Sequence, residues 1–151
     1  MATTSQIEKF IKTLYPAAVQ VEKETGLPAL AIIAQSALET GWGASAPGNM
    51  YFGFKVPSGW TGKKQLLWTH EYINGVYTRV QDWFCAYDSP IESLRHYAGR
   101  IISLSRYATA AKTTDPYQYA RELQKAGYAT DPNYADKIIK NIDIVKKKSL
   151  S

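Results

Sequence analysis

Apolar side chains recur at helical spacing through the first forty residues of the chain. The first stripe consists of Ile7, Phe10, Ile11, Leu14 and Ala18. It predicts a helix that begins at a capping box over 5–8 and ends at Gly26. The run 29–38 is apolar except for Gln35 and Ser36, which predicts a second helix that is buried on most sides. This run stops at Glu39, just before a Gly-Trp-Gly turn.

Glu39 is a carboxyl group in a position that disfavours its charge. The C-terminal end of a helix carries a partial negative charge, and apolar surroundings penalise ionisation, so both effects raise the pKa of this acid. A carboxyl group that stays protonated near neutral pH is what a general acid requires. The alternative is an exposed glutamate at a frayed helix end. Trp42 and the aromatic residues that follow favour a cleft for a flat, hydroxylated substrate.

The middle of the chain has a different pattern. Residues 44–65 are rich in Gly, Pro and Ser with aromatic residues between them, which predicts a loop. Two strand-like runs, 66–73 and 76–87, flank Asn74-Gly75, and this dipeptide is typical of a type I′ hairpin turn. A two-residue turn places two cross-strand pairs on one face: Ile73 with Val76, and Glu71 with Thr78.

Three further helices are predicted after the hairpin. They begin at Ser89-Pro90, Asp115-Pro116 and Asp131-Pro132, because a capping side chain followed by a first-turn proline is typical of helix N-termini. The predicted inward residues of the last helix are Tyr134, Ile138, Ile139 and Ile142. The predicted fold is α+β and mainly α, with a small β-hairpin lobe. We expect one domain over 1–151, with a helical lobe from 5–43 and 88–145, a loop and β-lobe over 44–87, and a basic tail over 146–151.

The net charge of +5 over 151 residues suits an anionic partner, such as nucleic acid, a membrane surface or a bacterial wall. A short lysine tail is usually only solvated, so we expect no nucleic acid partner. The 11 tyrosines and 4 tryptophans favour stacking on sugars or bases, although aromatic cores use the same residues. One cysteine excludes an internal disulfide, and two distant histidines do not suggest a metal site. We expect no metal and no cofactor.

Two acids are candidates for paired chemistry. Glycoside hydrolysis commonly needs two carboxyl groups across one bond, and Glu39 on a helix with Glu71 on a hairpin would supply them from two lobes. Asp82 and Glu92 compete for the second role, although Glu92 is better explained as a capping residue. Stacking on sugar rings is a candidate role, beside a core role, for Tyr51, Phe52, Trp60 and Tyr128.

Five motifs in order carry a resemblance to a known family. They are AQSALETGWG at 34–43, NMYFGFK at 49–55, THEY at 69–72, FCAYDSP at 84–90 and AGYATDP at 126–132. The chain resembles the catalytic domain of glycoside hydrolase family 73, which comprises peptidoglycan β-N-acetylglucosaminidases, among them a flagellar-rod wall hydrolase and many phage lysins. Two departures are visible: Met50 stands where Asn is common, and Cys85 where a basic residue is common.

The resemblance implies a lysozyme-like fold and a division of roles. Glu39 is then the general acid, Glu71 the second carboxylate, and Tyr128 a tyrosine near the acid. The expected substrate contacts are Trp42, Asn49, Tyr51, Phe52, Gly53 and Trp60. Because the substrate carries a 2-acetamido group, neighbouring-group attack is an alternative to a protein nucleophile. Glu71 would then orient the acetamide, act as a base for water, or contribute little.

The sequence therefore predicts a monomeric peptidoglycan endo-β-N-acetylglucosaminidase. The N-terminal residues lack the basic and apolar regions of a signal peptide, and no run of about 18 apolar residues predicts a membrane span. We expect a phage or prophage lysin that is made in the host cytoplasm and reaches the wall after release. The alternative source is a domain of a larger secreted hydrolase. The alternatives are a muramidase or lytic transglycosylase of the same fold, or a non-catalytic wall-binding or virion module.

Overall fold

Helices form both ends of the chain, and a β-hairpin lies between them. The computed structural model describes residues 1–149. Their elements are α1 (Thr4–Thr25), α2 (Ala29–Thr40), β1 (Lys64–Ile73), β2 (Val76–Cys85), α3 (Pro90–Ser103), α4 (Ala108–Ala111), α5 (Pro116–Lys125) and α6 (Tyr134–Ser149). Short 3₁₀ turns occupy Pro47–Asn49 and Ser105–Tyr107. The predicted mainly α fold with a small hairpin lobe is confirmed.

Helix α2 is the centre of the core. It packs against α1, α5 and α6, and every residue from 31 to 37 is buried. This agrees with its nearly all-apolar sequence, since a helix that is apolar all round needs neighbours on most sides. Because residues that are packed on all sides have little room to move, α2 holds its C-terminal end in a fixed position.

The N-terminus of α1 differs from the predicted capping box. The cap is Thr3, whose hydroxyl oxygen accepts a hydrogen bond from the Gln6 backbone N–H at 3.1 Å, and Ser5 lies inside the helix. The reason is that Thr3 supplies the same capping chemistry two positions earlier, and the longer helix gains backbone hydrogen bonds. Gly26 ends the helix as predicted, with a φ of 82°.

The predicted starts of the later helices are confirmed in part. Asp115 caps α5 by accepting a hydrogen bond from the Gln118 N–H at 2.8 Å. Ser89 precedes α3 but makes no capping hydrogen bond with its side chain. Helix α6 begins at Tyr134, later than predicted, because the Asp131 carboxylate accepts from the Asn133 N–H at 2.9 Å and closes a turn first.

The hairpin has the predicted register. Ile73 pairs with Val76 and Glu71 with Thr78 in an antiparallel sheet of two strands. Asn74 and Gly75 both have positive φ, as a type I′ turn requires. The loop segment around Lys55 forms an isolated bridge to β2 at the base of the hairpin.

The predicted basic tail is helical as far as the structure describes it. Its three lysines, 146–148, form the last turn of α6, where the helix dipole stabilises positive charges. Lys148 also pairs with Glu8 of α1 at 3.5 Å. Residues 150 and 151 of this predicted segment lie outside the described residues. Within residues 1–149, no helix has both the length and the apolar character needed to cross a lipid bilayer.

Candidate active site

Glu39 lies in the last turn of α2, where the chain leaves the core. The next residues Gly41, Trp42 and Gly43 all have positive φ, so the backbone reverses immediately after the helix. The Trp42 N–H donates to the Ala37 carbonyl at 2.9 Å, which closes the helix end. Because α2 is packed on its other sides, this turn leaves the Glu39 side chain pointing out of the core.

The Glu39 side chain opens into a cleft of about 350 Å³. The cleft is lined by Glu39, Gly53, Phe54, Tyr97, Arg100, Ile101, Arg106, Tyr107, Tyr128 and Ala129. These residues come from the end of α2, the loop before the hairpin, α3 with the 3₁₀ turn after it, and the turn before α6. The acid is therefore surrounded mainly by rings and by two guanidinium groups.

A chain of hydrogen bonds runs from Glu39 into the core. The Tyr134 hydroxyl donates to a Glu39 carboxylate oxygen at 2.9 Å and accepts from the Gln35 amide at 2.9 Å. The Gln35 carbonyl oxygen accepts from the Tyr97 hydroxyl at 2.5 Å, and Tyr97 meets the Tyr119 hydroxyl at 2.6 Å. Each buried polar group thus has a partner, and the network fixes the orientation of the Tyr134 hydroxyl toward the acid.

Two effects act in opposite directions on the pKa of Glu39. The protein groups around the carboxyl remove part of its hydration, and this desolvation raises the pKa. The hydrogen bond from Tyr134 favours the ionised form and lowers the pKa by a smaller amount, so the net shift is upward. Glu39 is exposed at the mouth of the cleft, and the upward direction of its pKa shift is the one that a general acid requires.

Tyr128 lies in the wall of the cleft next to this network. Its ring stacks on that of Tyr134 with centroids 5.8 Å apart and planes at 15°, and it meets Tyr97 edge-on at 6.3 Å. Desolvation, and then the nearby Glu39 charge, raise the pKa of the Tyr128 phenol. The hydroxyl therefore stays protonated and is available as a hydrogen-bond donor.

Arg100 and Arg106 give the cleft a positive wall. Within residues 1–149, neither guanidinium forms an ion pair with a carboxylate. Arg100 lies over the Phe54 ring at 4.9 Å, and Arg106 donates to the Tyr107 hydroxyl at 2.6 Å. Two oriented cations without acidic partners attract an anionic group into the cleft.

Glu71 has a different environment on the hairpin. It forms an ion pair with Lys55, whose ammonium group also lies 3.0 Å from Asp82. The hydrogen bond from Lys55 holds the pKa of the Asp82 carboxyl below its usual range. Glu71 is not among the residues that line the Glu39 cleft. Glu71 and Asp82, the two candidates for the second carboxylate, thus contact the same lysine.

A comparison with known families identifies the chain. Residues 15–147 match the family described as Glucosaminidase: Mannosyl-glycoprotein endo-beta-N-acetylglucosaminidase. The chain belongs to this glucosaminidase family. This confirms the resemblance to glycoside hydrolase family 73 that the five motifs indicate, and it makes the chain a glycoside hydrolase.

Curated relatives and solved structures agree with this assignment. Peptidoglycan hydrolase FlgJ of Escherichia coli strain K12 is 36% identical over 147 residues, which cover 93% of this chain and 47% of that protein. The glycoside hydrolase domain of Salmonella typhimurium FlgJ, C-terminally truncated, superposes with a TM-score of 0.82 at 35% identity, covering 93% of this chain and 98% of that one. The catalytic domain of the Listeria monocytogenes autolysin Auto superposes with a TM-score of 0.85 at 28% identity, covering 100% of this chain and 90% of that one. The chain spans about half the length of the Escherichia coli FlgJ proteins it matches.

The glucosaminidase fold buries two of the predicted sugar contacts. Phe52 is 1% exposed and stacks on Tyr97 with ring centroids 4.0 Å apart, and Tyr51 is also buried. The Phe52 ring therefore packs under the Tyr97 ring of the cleft wall, and Gly53 and Phe54 line the cleft. The Tyr51 ring lies by Phe10 instead, and it lines a separate depression beside α1. Sequence patterns do not separate these roles, because all four residues belong to one motif.

The other predicted contacts lie elsewhere in this glucosaminidase. Trp42 packs edge-on against Phe10 in a separate depression beside α1. Trp60 stacks on His96 with centroids 4.9 Å apart, in a pocket at the base of the hairpin. The Asn49 amide donates to the Tyr87 carbonyl at 3.1 Å, which ties the loop to the end of the hairpin. None of these three lines the Glu39 cleft.

Sequence reasoning missed the role of several residues around the acid. Tyr134 was predicted only as an inward residue of the last helix, although it makes the hydrogen bond to Glu39. Arg100 and Arg106 were not singled out. A usable signal exists for Arg100, because it follows Tyr97 by one helical turn and so shares that residue's face of α3. For Arg106, which lies in a 3₁₀ turn, no such periodicity exists.

Proposed function

We propose that this chain cleaves the glycan strands of peptidoglycan as an endo-β-N-acetylglucosaminidase. The observation that carries the proposal is Glu39, a carboxyl group with a raised pKa that opens into a cleft rimmed by tyrosines and arginines. The membership of the glucosaminidase family and the names of the FlgJ relatives as peptidoglycan hydrolases support the same substrate.

Glu39 is the general acid of the proposed reaction. It donates its proton to the glycosidic oxygen as the bond to the sugar C1 breaks, and the leaving sugar departs as an alcohol. The carboxylate that forms is stabilised by the Tyr134 hydroxyl at 2.9 Å. This hydrogen bond prevents desolvation from raising the pKa so far that proton donation becomes weak.

Glu71 is the second carboxylate of the proposal, and Tyr128 is a hydrogen-bond donor to the substrate beside the acid. Because Glu71 does not line the cleft, its part in the reaction requires the hairpin to move toward Glu39. It then either activates the attacking water or orients the 2-acetamido oxygen that attacks C1. Water activated by Glu71 inverts the anomeric carbon in one displacement. Attack by the acetamide oxygen forms a cyclic intermediate that water then opens at C1, and these two displacements retain the configuration, so product stereochemistry distinguishes the two routes.

The two cleft arginines favour peptidoglycan over an uncharged polymer of the same sugars. The stem peptides of peptidoglycan carry carboxylates, which an oriented guanidinium binds through paired hydrogen bonds. Arg100 and Arg106 both line the Glu39 cleft and have no acidic partner within residues 1–149. We infer that they bind a carboxylate next to the scissile bond.

A relative named Probable N-acetylmuramidase supports a second candidate bond. This Lactococcus lactis protein is 32% identical over 143 residues, which cover 88% of this chain and 32% of that protein. A muramidase would cut the other of the two alternating glycosidic bonds in the same strand. The fold and the acid are compatible with either bond, so the identity of the cleaved bond has to be measured.

Mass spectrometry of digested and borohydride-reduced peptidoglycan tests the proposal. We expect products that end in reduced N-acetylglucosamine, and a strongly reduced yield of them from Glu39→Gln. Ends of reduced N-acetylmuramic acid would show a muramidase, and anhydro-sugar ends a lytic transglycosylase. An absence of new ends with the natural chain would overturn the proposed function and favour a wall-binding or virion module.

We also propose that the chain acts as a monomer in a phage or prophage lysin. The resemblance of its motifs to phage lysins supports this origin. Expression in a bacterial host tests it: lysis should require a second protein that permeabilises the inner membrane. Sedimentation at several concentrations tests the oligomeric state, and a mass that rises to that of a dimer would contradict a monomer.

A further inference from the structure

The two faces of the hairpin have an unusual distribution of side chains. In an antiparallel sheet with one covered face and one exposed face, apolar residues normally occupy the covered face. Here the exposed face, called the outer face below, carries most of the rings. Its residues are Lys64, Leu66, Trp68, His70 and Tyr72 of β1, and Tyr77, Arg79, Gln81 and Trp83 of β2.

The outer face leaves four large rings open to solvent. Trp68 is 55% exposed, Tyr72 75%, Tyr77 61% and Trp83 45%. The half-buried opposite face carries aliphatic residues such as Leu67 and Val80, together with Glu71 and Asp82 and their ion pairs to Lys55. Cross-strand contacts between rings stabilise a hairpin, but they do not require rings that remain about half exposed or more.

Contacts within the outer face arrange the rings as a platform. The Arg79 guanidinium carbon lies 3.9 Å from the Trp68 ring centroid, and the Lys64 ammonium lies 4.6 Å from that of Trp83. His70 stacks on Tyr77 with centroids 4.6 Å apart and planes at 7°. Rings and cations therefore alternate over one surface.

The charge of the outer face has one sign. Lys64 and Arg79 lie on it, and none of its nine residues is acidic. The platform is thus complementary to a ligand that combines apolar ring faces with negative charges. Sugars offer the first, because their axial C–H groups stack on aromatic rings, and peptide carboxylates offer the second.

We propose that the outer face binds a second, uncleaved strand of peptidoglycan while the cleft holds the strand to be cut. This inference rests on the proposed function, because it takes its ligand from it. Amino-sugar rings stack on Trp68 and its neighbours, and stem-peptide carboxylates pair with Arg79 and Lys64. Since the outer face and the Glu71 face belong to one sheet, the anchored strand lies on the far side of the hairpin from Glu71.

Two other occupants fit the surface less well. A membrane-surface element keeps its cations on one side and its rings on the other, so that only the rings enter the lipid. On the outer face the cations lie directly on the rings, and insertion would bury both. A second copy of this chain would bring two positive faces together without a carboxylate between them, which is repulsive.

Binding to purified, insoluble sacculi tests the proposal, with Glu39→Gln as the background so that the polymer stays intact. In that background, Arg79→Glu and Trp68→Ala should each weaken co-sedimentation by about three- to tenfold at low salt. The matched control is Lys140→Glu, which makes the same change of charge on the exposed surface of α6 and should have a much smaller effect. In the natural background, turnover of a short soluble glycan fragment should stay within about twofold for all three variants.

Several results would overturn the proposal. These are unchanged binding by Arg79→Glu, an equal loss with Lys140→Glu, or an equal loss of fragment turnover. Binding to anionic lipid vesicles that depends on Trp68, in place of sacculi, would identify a membrane surface instead. Dimerisation that Trp68→Ala abolishes would identify a second copy.

Two further measurements separate the possible failures. Amide exchange over 66–80 checks that each variant keeps the hairpin. If Trp68→Ala speeds this exchange, the test of binding by the outer face depends on Arg79→Glu. Sacculi that are bound through the outer face but not cleaved by the natural chain would refute the proposed function alone. Sacculi that are cleaved without any dependence on the outer face would refute only this inference.

Discussion

Glu39 and Glu71 carry the same functional group on two lobes of opposite construction. Glu39 ends a helix with neighbours on nearly all sides, and a tyrosine held by a buried network hydrogen-bonds to it. Glu71 lies on a sheet of two strands and pairs with a half-exposed lysine. The first acid is held by a packed helix and a hydrogen bond, whereas the second is held by an ion pair on a small sheet.

The two lobes are therefore expected to differ in local stability. A hairpin of two strands has little core and is marginally stable by itself, so its amides open more easily than those of a packed helix. The helical lobe supplies the fixed acid and the cleft walls. In the proposed reaction, the hairpin supplies groups that move when the glycan binds.

The largest expected effect is that of Glu39→Gln. The amide keeps the shape but has no acidic proton to donate, so wall hydrolysis should fall by about 10²–10⁴-fold. Release of reducing ends from sacculi measures this, and an unchanged thermal midpoint shows that the fold is intact. Activity near that of the natural chain would show that Glu39 is not the general acid. The proposed difference in role between Glu39 and Glu71 would then be wrong.

A smaller loss is expected from Glu71→Gln, about 10²-fold, at the lower end of the range for acid–base groups. Asp82→Asn is the matched control, because Asp82 shares the face and the Lys55 ion pair with Glu71. We expect this control to lose less than about tenfold. Equal losses in the two variants would mean that the hairpin needs negative charge in general and not a second carboxylate at position 71.

The hairpin turn offers a weaker perturbation. Gly75 has a φ of 79°, which costs a residue with a Cβ about 1–2 kcal/mol. Gly75→Ala should therefore speed amide exchange over 66–80 by about tenfold and leave that of α2 unchanged. Exchange measured by mass spectrometry checks this. If the hairpin already exchanges as slowly as α2 in the natural chain, the two lobes do not differ in stability.

The smallest effect on the maximal rate is expected from Tyr134→Phe. The Tyr134 hydrogen bond lowers the pKa of Glu39, so its removal raises that pKa further. In the proposed mechanism, activity requires protonated Glu39 and is lost as pH rises through its pKa, so the alkaline limb of the rate profile should move to higher pH. Tyr119→Phe, which alters the far end of the network, should leave that limb in place. A limb that moves to lower pH would contradict the assignment.

The parts of the fold that local patterns determine were predictable from sequence. The apolar run before Glu39 predicted a buried helix, and Asn74-Gly75 predicted the register that pairs Glu71 with Thr78. Both depend on residues close together in the chain. The same holds for the Asp115 cap of α5.

Contacts between distant segments were not predictable in the same way. Tyr134 and Glu39 are 95 positions apart, and periodicity shows only that Tyr134 faces inward, not which group it meets. Phe52 and Phe54 lie in one motif, yet one is buried under Tyr97 and the other lines the cleft. Such distinctions depend on how α3 and α6 pack on α2, and no local pattern contains that information.

The position of Cys85 makes the hairpin accessible to chemical measurement. Cys85 is the only cysteine of the chain, and it lies fully buried at the end of β2, where its backbone N–H donates to the Phe54 carbonyl at 2.9 Å. Burial also raises the pKa of the Cys85 thiol, so we expect the thiol to resist alkylation while it is buried. The rate at which a maleimide or iodoacetamide modifies the unaltered chain therefore measures how often the end of β2 separates from the Phe54 segment and exposes the Cys85 thiol. Glycan that draws the hairpin over the cleft should slow the labelling, which gives a binding assay without an introduced probe.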